Sequence, residues 1–183
     1  MRQLHIAVLT LALSGVGLAA LAANSPKDLN ANLSGYQEVP TLSTAGTAKL
    51  QARISKDESA VDWVLSYEAL EGTVTQSHIH FSARALNGPI VVWFCSNLGN
   101  GPVGTPPCPA APATISGTFH AADVTAGAAA MGLEAGNLAE LIAGIRAGAT
   151  YANVHSTLRP GGEVRGQIRV QDPEAGSGAP PKP

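Results

Sequence analysis

The sequence predicts an all-β domain, a two-layer antiparallel β-sandwich with one short helix, and three observations predict it. Between Leu33 and Val170 the dominant hydrophobic period is two, as expected of strands that bury one face. About seven or eight such runs fit the span, joined by Gly- and Pro-containing turns, which is the pattern of a sandwich rather than of alternating strands and helices. Only one segment changes to a helical period.

The elements follow in order. A first strand lies near Asn30 to Gly35. Ala48, Leu50, Ala52 and Ile54 then alternate with Thr47, Lys49, Gln51, Arg53 and Ser55, and Val61, Trp63, Leu65, Tyr67 and Ala69 alternate with Asp62, Ser66 and Glu68. The polar Lys56-Asp57-Glu58 between them makes the pair a hairpin. Further strands are expected at Thr75 to Phe81, Ile90 to Phe94, Thr114 to Ala121, Tyr151 to Ser156 and Glu163 to Val170. Asn87-Gly88-Pro89 is a turn that launches Ile90 to Phe94, an apolar run read as a strand buried on both faces; the alternative is a sheet edge offered to a partner, which exposure of Trp93 would reveal. The helix starts at Asn137, a capping residue with Glu140 three positions on, carries the apolar stripe Leu138, Leu141, Ile142 and Ile145, and stops at Gly148. Ala121 to Gly136 is Ala- and Gly-rich and takes no assignment beyond loop with a helical turn.

The ends read differently. Arg2, the apolar run Ile6 to Leu21 and the small-residue site Ala20-Leu21-Ala22 make residues 1–22 a signal peptide cleaved after Ala22. The run is too short and too rich in Ser and Gly for a membrane anchor, so no stable membrane insertion is expected once it is removed. Residues 172–183 combine Pro, Gly and charge without an apolar period, which predicts a disordered tail. Residues 23–171 form the domain, and the mature chain of about 160 residues suits one core. Export places the protein in the periplasm or outside the cell.

The formal charge of -2 becomes -3 when Arg2 leaves with the signal. Without clustered Lys and Arg, nucleic acid is excluded as a partner, and no basic amphipathic helix suggests a membrane surface. Cys95 and Cys108 are the only cysteines, and the segment between them is rich in Gly, Pro and Asn. In an oxidising compartment they predict a disulfide-closed loop, worth about 3 kcal/mol by chain entropy. The rival, a cysteine metal pair, lacks a CxxC motif or a nearby His.

The chemistry-bearing residues fall in two segments. In a strand His78 and His80 share one face while Ile79 takes the other; likewise Tyr151, Asn153 and His155 share a face, and Glu163, Arg165 and Gln167 share one. If the three strands are neighbours, three imidazoles, a carboxylate and a guanidinium converge. Imidazoles at i and i+2 lie about 7 Å apart, close enough to reach one ion between them, so His78, His80 and His155 form a candidate copper or zinc site. Glu163 would then be a fourth ligand or accept from an imidazole N–H. The competing account is a metal-free polar network of His78, His80, Asn153, His155, Glu163 and Arg165, with Arg165 paired to a carboxylate. His120 sits on an outer face, and His5 leaves with the signal.

No catalytic residues are assigned. Ser77 beside His78 and Ser156 beside His155 face opposite sides of their strands and cannot act as nucleophile and base. No G-x-S-x-G, HExxH or phosphate-binding loop is present, so any enzyme activity would have to run through a metal.

Three ordered motifs resemble one family. Leu33-Ser34-Gly35-Tyr36-Gln37-Glu38-Val39-Pro40 is similar to the opening of the CHRD (chordin) domain. His78-Ile79-His80 followed by Asn87-Gly88-Pro89-Ile90-Val91 resembles its centre. Tyr151-Ala152-Asn153-Val154-His155-Ser156, then Pro160-Gly161-Gly162-Glu163-Val164-Arg165-Gly166-Gln167-Ile168, resembles its close. The resemblance, to the single-domain exported bacterial-type member, implies an Ig-like β-sandwich of Greek-key type and, from animal members, binding of extracellular growth factors. Two departures stand out: Phe81-Ser82-Ala83-Arg84 replaces a Gly-rich stretch, and the Cys95 to Cys108 loop resembles an insertion. The His-x-His spacing is also similar to that of the copper–zinc superoxide dismutase sandwich, although fold does not fix function.

The resulting expectation is an exported binding or structural module. Its alternatives are a copper- or zinc-binding periplasmic protein, redox-active or not, and a module that engages an extracytoplasmic protein partner through the Cys95 to Cys108 loop.

Overall fold

The computed structural model describes residues 27–171; the expected signal peptide and tail lie outside them. Nine strands form one antiparallel sheet: β1 (Asp28–Ser34), β2 (Thr47–Ile54), β3 (Ala60–Glu68), β4 (Val74–Phe81), β5 (Ile90–Ser96), β6 (Ala113–His120), β7 (Thr150–Ser156), β8 (Val164–Gln167) and β9 (Arg169–Val170). One helix, α1 (Leu138–Arg146), precedes β7. The Asn137 side chain caps it by accepting from the Glu140 N–H, and Leu138, Leu141, Ile142 and Ile145 are its buried face, as the sequence predicts. Ala121 to Gly136, unassigned from sequence, contains 3-10 turns at Ala121–Asp123 and Ala126–Met131.

The strand order is β5-β4-β7-β8-β1-β2-β3-β6, with β9 also on β1. Two separate layers were the expectation; instead a β1–β8 bridge at Ser34 and Arg165 joins the halves into one sheet. That sheet curls until Phe94 of β5 packs on Trp63 of β3, ring centroids 4.6 Å apart, and the result is nearly closed and barrel-like. Alternation could not decide between the two forms, because an inward side chain has the same period in a sandwich and in a curled sheet.

The β2–β3 hairpin keeps full register from Thr47–Glu68 to Ile54–Val61. Its turn is tied by Asp57, whose carboxylate accepts from Ser55 Oγ, Ser59 N and Ser59 Oγ. Leu29, Leu33, Leu50, Leu65, Ile79, Phe94, Leu141 and Val154 are among the side chains that fill the interior. The expected last strand breaks in two. β8 pairs with β7, Ile168 is the hinge, with its N–H on Thr150 O, and β9 crosses to β1.

β5 is a terminal strand of the order, yet Val91, Val92, Phe94 and Cys95 are buried. Its outer edge is partly taken by the Thr125 N–H on Val91 O and by the Ser96 N–H on Pro106 O. Trp93 is half-buried.

β4 and β7 are buried on both faces, which is what places the site. One face belongs to the core. The other is roofed by three loops, which reach it through Asn153 Nδ2 on Glu38 Oε1, His80 Nδ1 on Gly88 O and His155 Nδ1 on Pro160 O.

Candidate metal centre

The strand register confirms the neighbourhood that the sequence required. His80 stands opposite Tyr151, His78 opposite Asn153 and Gln76 opposite His155 across β4–β7. Tyr151 stands opposite Gln167 and Asn153 opposite Arg165 across β7–β8. One roofed face therefore carries all of these side chains, and within it they separate into two groups.

The first group is His78, His80 and His155, whose ligand nitrogens all lie within 4.8 Å of one another. Ring centroids are 4.6 Å apart for His78 and His80, 4.6 Å for His78 and His155, and 6.4 Å for His80 and His155. Each flanking ring is fixed by its Nδ1, at 2.6 Å from Gly88 O and 2.9 Å from Pro160 O. A carbonyl only accepts, so both Nδ1 atoms carry the proton and both Nε2 atoms present a lone pair. Those Nε2 atoms, and both ring nitrogens of His78, are buried without a hydrogen-bond partner. Leaving buried polar atoms unpaired costs about 1–3 kcal/mol each.

Electrostatics agree with neutral rings. Burial pushes the His80 pKa down to about 4. It also depresses His155, and depresses His78 further still with the help of its two neighbours. Three neutral imidazoles are in the state that ligates a cation without first losing a proton. Nitrogens 2.0–2.1 Å from a common ion stand roughly 3.6 Å apart in a trigonal plane, so ring rotations of about 1 Å at most would close the triangle. Trp93 packs edge-on to His78 at 4.9 Å, an apolar wall on that side.

The second group is satisfied. Asn153 Nδ2 donates to Glu38 Oε1 at 2.7 Å and to Val164 O at 2.8 Å. Arg165 donates to Leu86 O and Asn87 Oδ1 and lies 3.5 Å above the Tyr151 ring centroid. Gln167 donates to Ser82 O and Gly148 O. Burial outweighs the Asn153 hydrogen bond and the Arg165 charge at Glu38 and raises its pKa to about 7.

Glu163 belongs to neither group. It is fully buried, but its Oε1 accepts from Thr44 Oγ1 at 3.0 Å and from the Glu71 N–H at 2.6 Å, and it makes neither a metal set with the histidines nor an ion pair with Arg165. The reason is local. β8 starts only at Val164, so Glu163 sits in the turn after Gly162, which holds φ +127°, and strand alternation does not reach it. A Cβ at Gly162 would come within 2.8 Å of Glu38 Oε1 and 2.9 Å of the Asn153 amide, so a side chain there would displace the loop over the site.

Sequence reasoning missed Glu38, the acid that Asn153 holds, and the Gly88 and Pro160 carbonyls that fix the ring tautomers. Glu38 lies in the opening motif, but nothing in its spacing ties it to Asn153, a strand residue far along the chain; the carbonyls leave no side-chain signal at all. Cys95 and Cys108 are bonded, with Cα atoms 5.0 Å apart. Asn97 straps the loop by donating to Val74 O and Cys108 O and accepting from the Cys108 N–H. Among the described residues no helix is long and apolar enough to cross a membrane.

No curated protein and no solved structure matches the chain. The CHRD domain model matches residues 29–168, a span that runs from β1 through the hinge before β9 and takes in the roofed face with all three histidines. By that match the chain belongs to the CHRD domain family.

Proposed function

We propose that this CHRD domain is an exported binding module whose roofed face holds a transition-metal ion, copper or zinc, through His78, His80 and His155. The observation that carries the reading is the set of unpartnered, buried ring nitrogens: two rings are locked with their lone pairs inward, and His78 has no partner on either side. A self-contained network would pair those atoms, as it pairs Asn153, Arg165 and Gln167 beside them. An ion supplies what the protein leaves open, and the carbonyls behind His80 and His155 are the outer partners that metal-bound imidazoles use.

Export is supported by the leader sequence and by the Cys95–Cys108 disulfide, which persists in oxidising compartments. An Ig-like, Greek-key description of the fold is supported by the CHRD family match, whose resemblance implies it. A protein partner at the disulfide loop has one support, the exposure of Leu98 and Val103. Deleting Gly99 to Pro107 should abolish recovery of such a partner while the fold persists; unchanged recovery rejects the loop as its site.

The metal reading is tested by elemental analysis of the mature protein and by thermal melts with and without chelator. Copper or zinc at 100 times its Kd should add about 2.7 kcal/mol of stability. Absence of both copurified copper or zinc and a shifted melt with either ion would remove the reading.

A further inference from the structure

The histidine ligand set contains no anion: among the described residues only His78, His80 and His155 form a group able to share an ion. An ion bound there keeps its whole charge in a buried site. The cost of burying charge grows with its square, so a divalent ion is opposed about four times as strongly as a monovalent one. Coordination number points the same way. Structural zinc takes four protein ligands, and open zinc sites keep a water, whereas the inward nitrogens here have no solvent contact and no fourth protein donor.

A fixed positive charge adds to this. The Tyr151 ring stacks on His80, centroids 4.5 Å apart and planes 8° from parallel, and the Arg165 guanidinium covers the far side of that ring at 3.5 Å. His80, Tyr151 and Arg165 form one column with a ligand at one end and a cation at the other. Arg165 spends its donors on neutral acceptors, Leu86 O and Asn87 Oδ1, and takes part in none of the ion pairs among the described residues. Two acids are buried nearby. Glu38 faces Arg165 but ionises only near pH 7, and Glu163, whose Oε1 accepts from Thr44 and the Glu71 N–H while its Oε2 is buried unpaired, makes no ion pair with Arg165 and no metal set with the histidines. The Arg165 charge, stacked on His80 through the Tyr151 ring, repels any cation bound at His80.

We infer that the centre selects monovalent copper over divalent zinc and copper(II), through three neutral imidazoles and the Arg165 charge stacked behind His80. The inference rests on the metal reading above. At a separation of roughly 8–10 Å and an effective dielectric near 20, the Arg165 charge weakens binding on the order of tenfold for each added positive charge on the ion.

The test is competition titration of the disulfide-intact protein at pH 7, with bicinchoninate and ascorbate for copper(I) and with a chromophoric chelator for zinc and copper(II). Copper(I) is expected to bind at least about 100-fold more tightly than either divalent ion. Arg165→Gln should narrow that ratio about tenfold and Arg165→Lys should keep most of it. Glu38→Gln, which removes negative charge facing Arg165, should widen the ratio about threefold and decides the matter if Arg165→Gln does not fold. Divalent binding as tight as copper(I) binding, or a ratio that neither variant moves, overturns the selectivity and leaves the metal centre standing. No binding of any of the three ions overturns the metal reading itself.

Discussion

Two halves of one roofed sheet face, buried but for the partly covered His80, are treated in opposite ways. On the β8 side, Asn153 and Gln167 place both amide N–H groups and Arg165 two of its five on named acceptors, and none of the three has a buried side-chain atom without a partner. On the β4 side, His78, His80 and His155 leave their inward nitrogens with none. The same backbone ladder carries both halves, so strand geometry does not account for the difference. The β8 side is finished as structure. The β4 side leaves four ring nitrogens unpaired, which is the opening the proposed ion would fill.

The comparison predicts opposite pH behaviour, and this is the largest effect expected. The three histidines have depressed native pKa values, so the unfolded chain takes up their protons first. Their contribution is therefore present above the unfolded value of 6.5 and is lost as pH falls towards about 4, the native value of His80. Glu38 runs the other way. Its pKa rises from 4.5 to about 7, so the native state holds the extra proton, and stability falls as pH climbs through that window. His80 and Glu38 shift by similar amounts in opposite senses and roughly offset each other, so the depressed His78 and His155 leave a net gain in stability between pH 4 and 6.5. Denaturant melts of chelator-treated protein should show that rise, and Glu38→Gln, which removes the opposing proton, should steepen it between pH 4.5 and 7. A flat profile from pH 4 to 6.5 would mean that the imidazoles are not desolvated as the geometry requires.

Next in size is the satisfied half. Asn153→Ala leaves the Glu38 carboxyl and Val164 O buried without their donor and should cost about 3 kcal/mol in a denaturant melt. Gly162→Ala should cost about 2 kcal/mol, because φ +127° strains any Cβ and that Cβ meets Glu38 and Asn153. A loss under about 0.5 kcal/mol in both would show that the roof over the face is loose and that the two halves differ less than the hydrogen bonds imply.

How much of this was legible in the sequence differs between the two halves as well. Period-two alternation sorted His78 and His80 from Ile79, and Tyr151, Asn153 and His155 from their neighbours, because within a strand the pleat leaves no choice. That alternation was enough to bring the three imidazoles together once β4 and β7 paired. It failed at Glu163, one residue before β8, where a glycine in a left-handed conformation sets the direction instead. It was silent on Glu38, which reaches Asn153 from a loop, since loop side chains carry no periodic signal. The helix was legible for a different reason: the Asn137 cap and the Leu138 to Ile145 stripe are local codes that need no tertiary partner to be read. The joining of the two halves of the sheet was not legible, because it turns on the Ser34–Arg165 bridge and the two β1–β9 pairs, between strands far apart in sequence.

The smallest effect on stability is also the one that separates the two halves most cleanly. His78→Leu replaces a side chain whose two ring nitrogens are buried and unpaired with an apolar one of similar size, next to Trp93. Removing an unsatisfied polar group in favour of an apolar isostere is close to neutral or stabilising, so the chelator-treated variant should melt within about 1 kcal/mol of wild type, on the stable side if it moves. If His78 were held by hydrogen bonds as Asn153 is, the substitution would instead cost about as much as Asn153→Ala. In the presence of metal the order reverses. Wild type gains the binding contribution of about 2.7 kcal/mol at 100 Kd, and the variant, short of one ligand of three, gains little. A melt in which His78→Leu destabilises the metal-free protein by 2 kcal/mol or more would erase the distinction between the halves, because it would give His78 the same structural part that Asn153 plays.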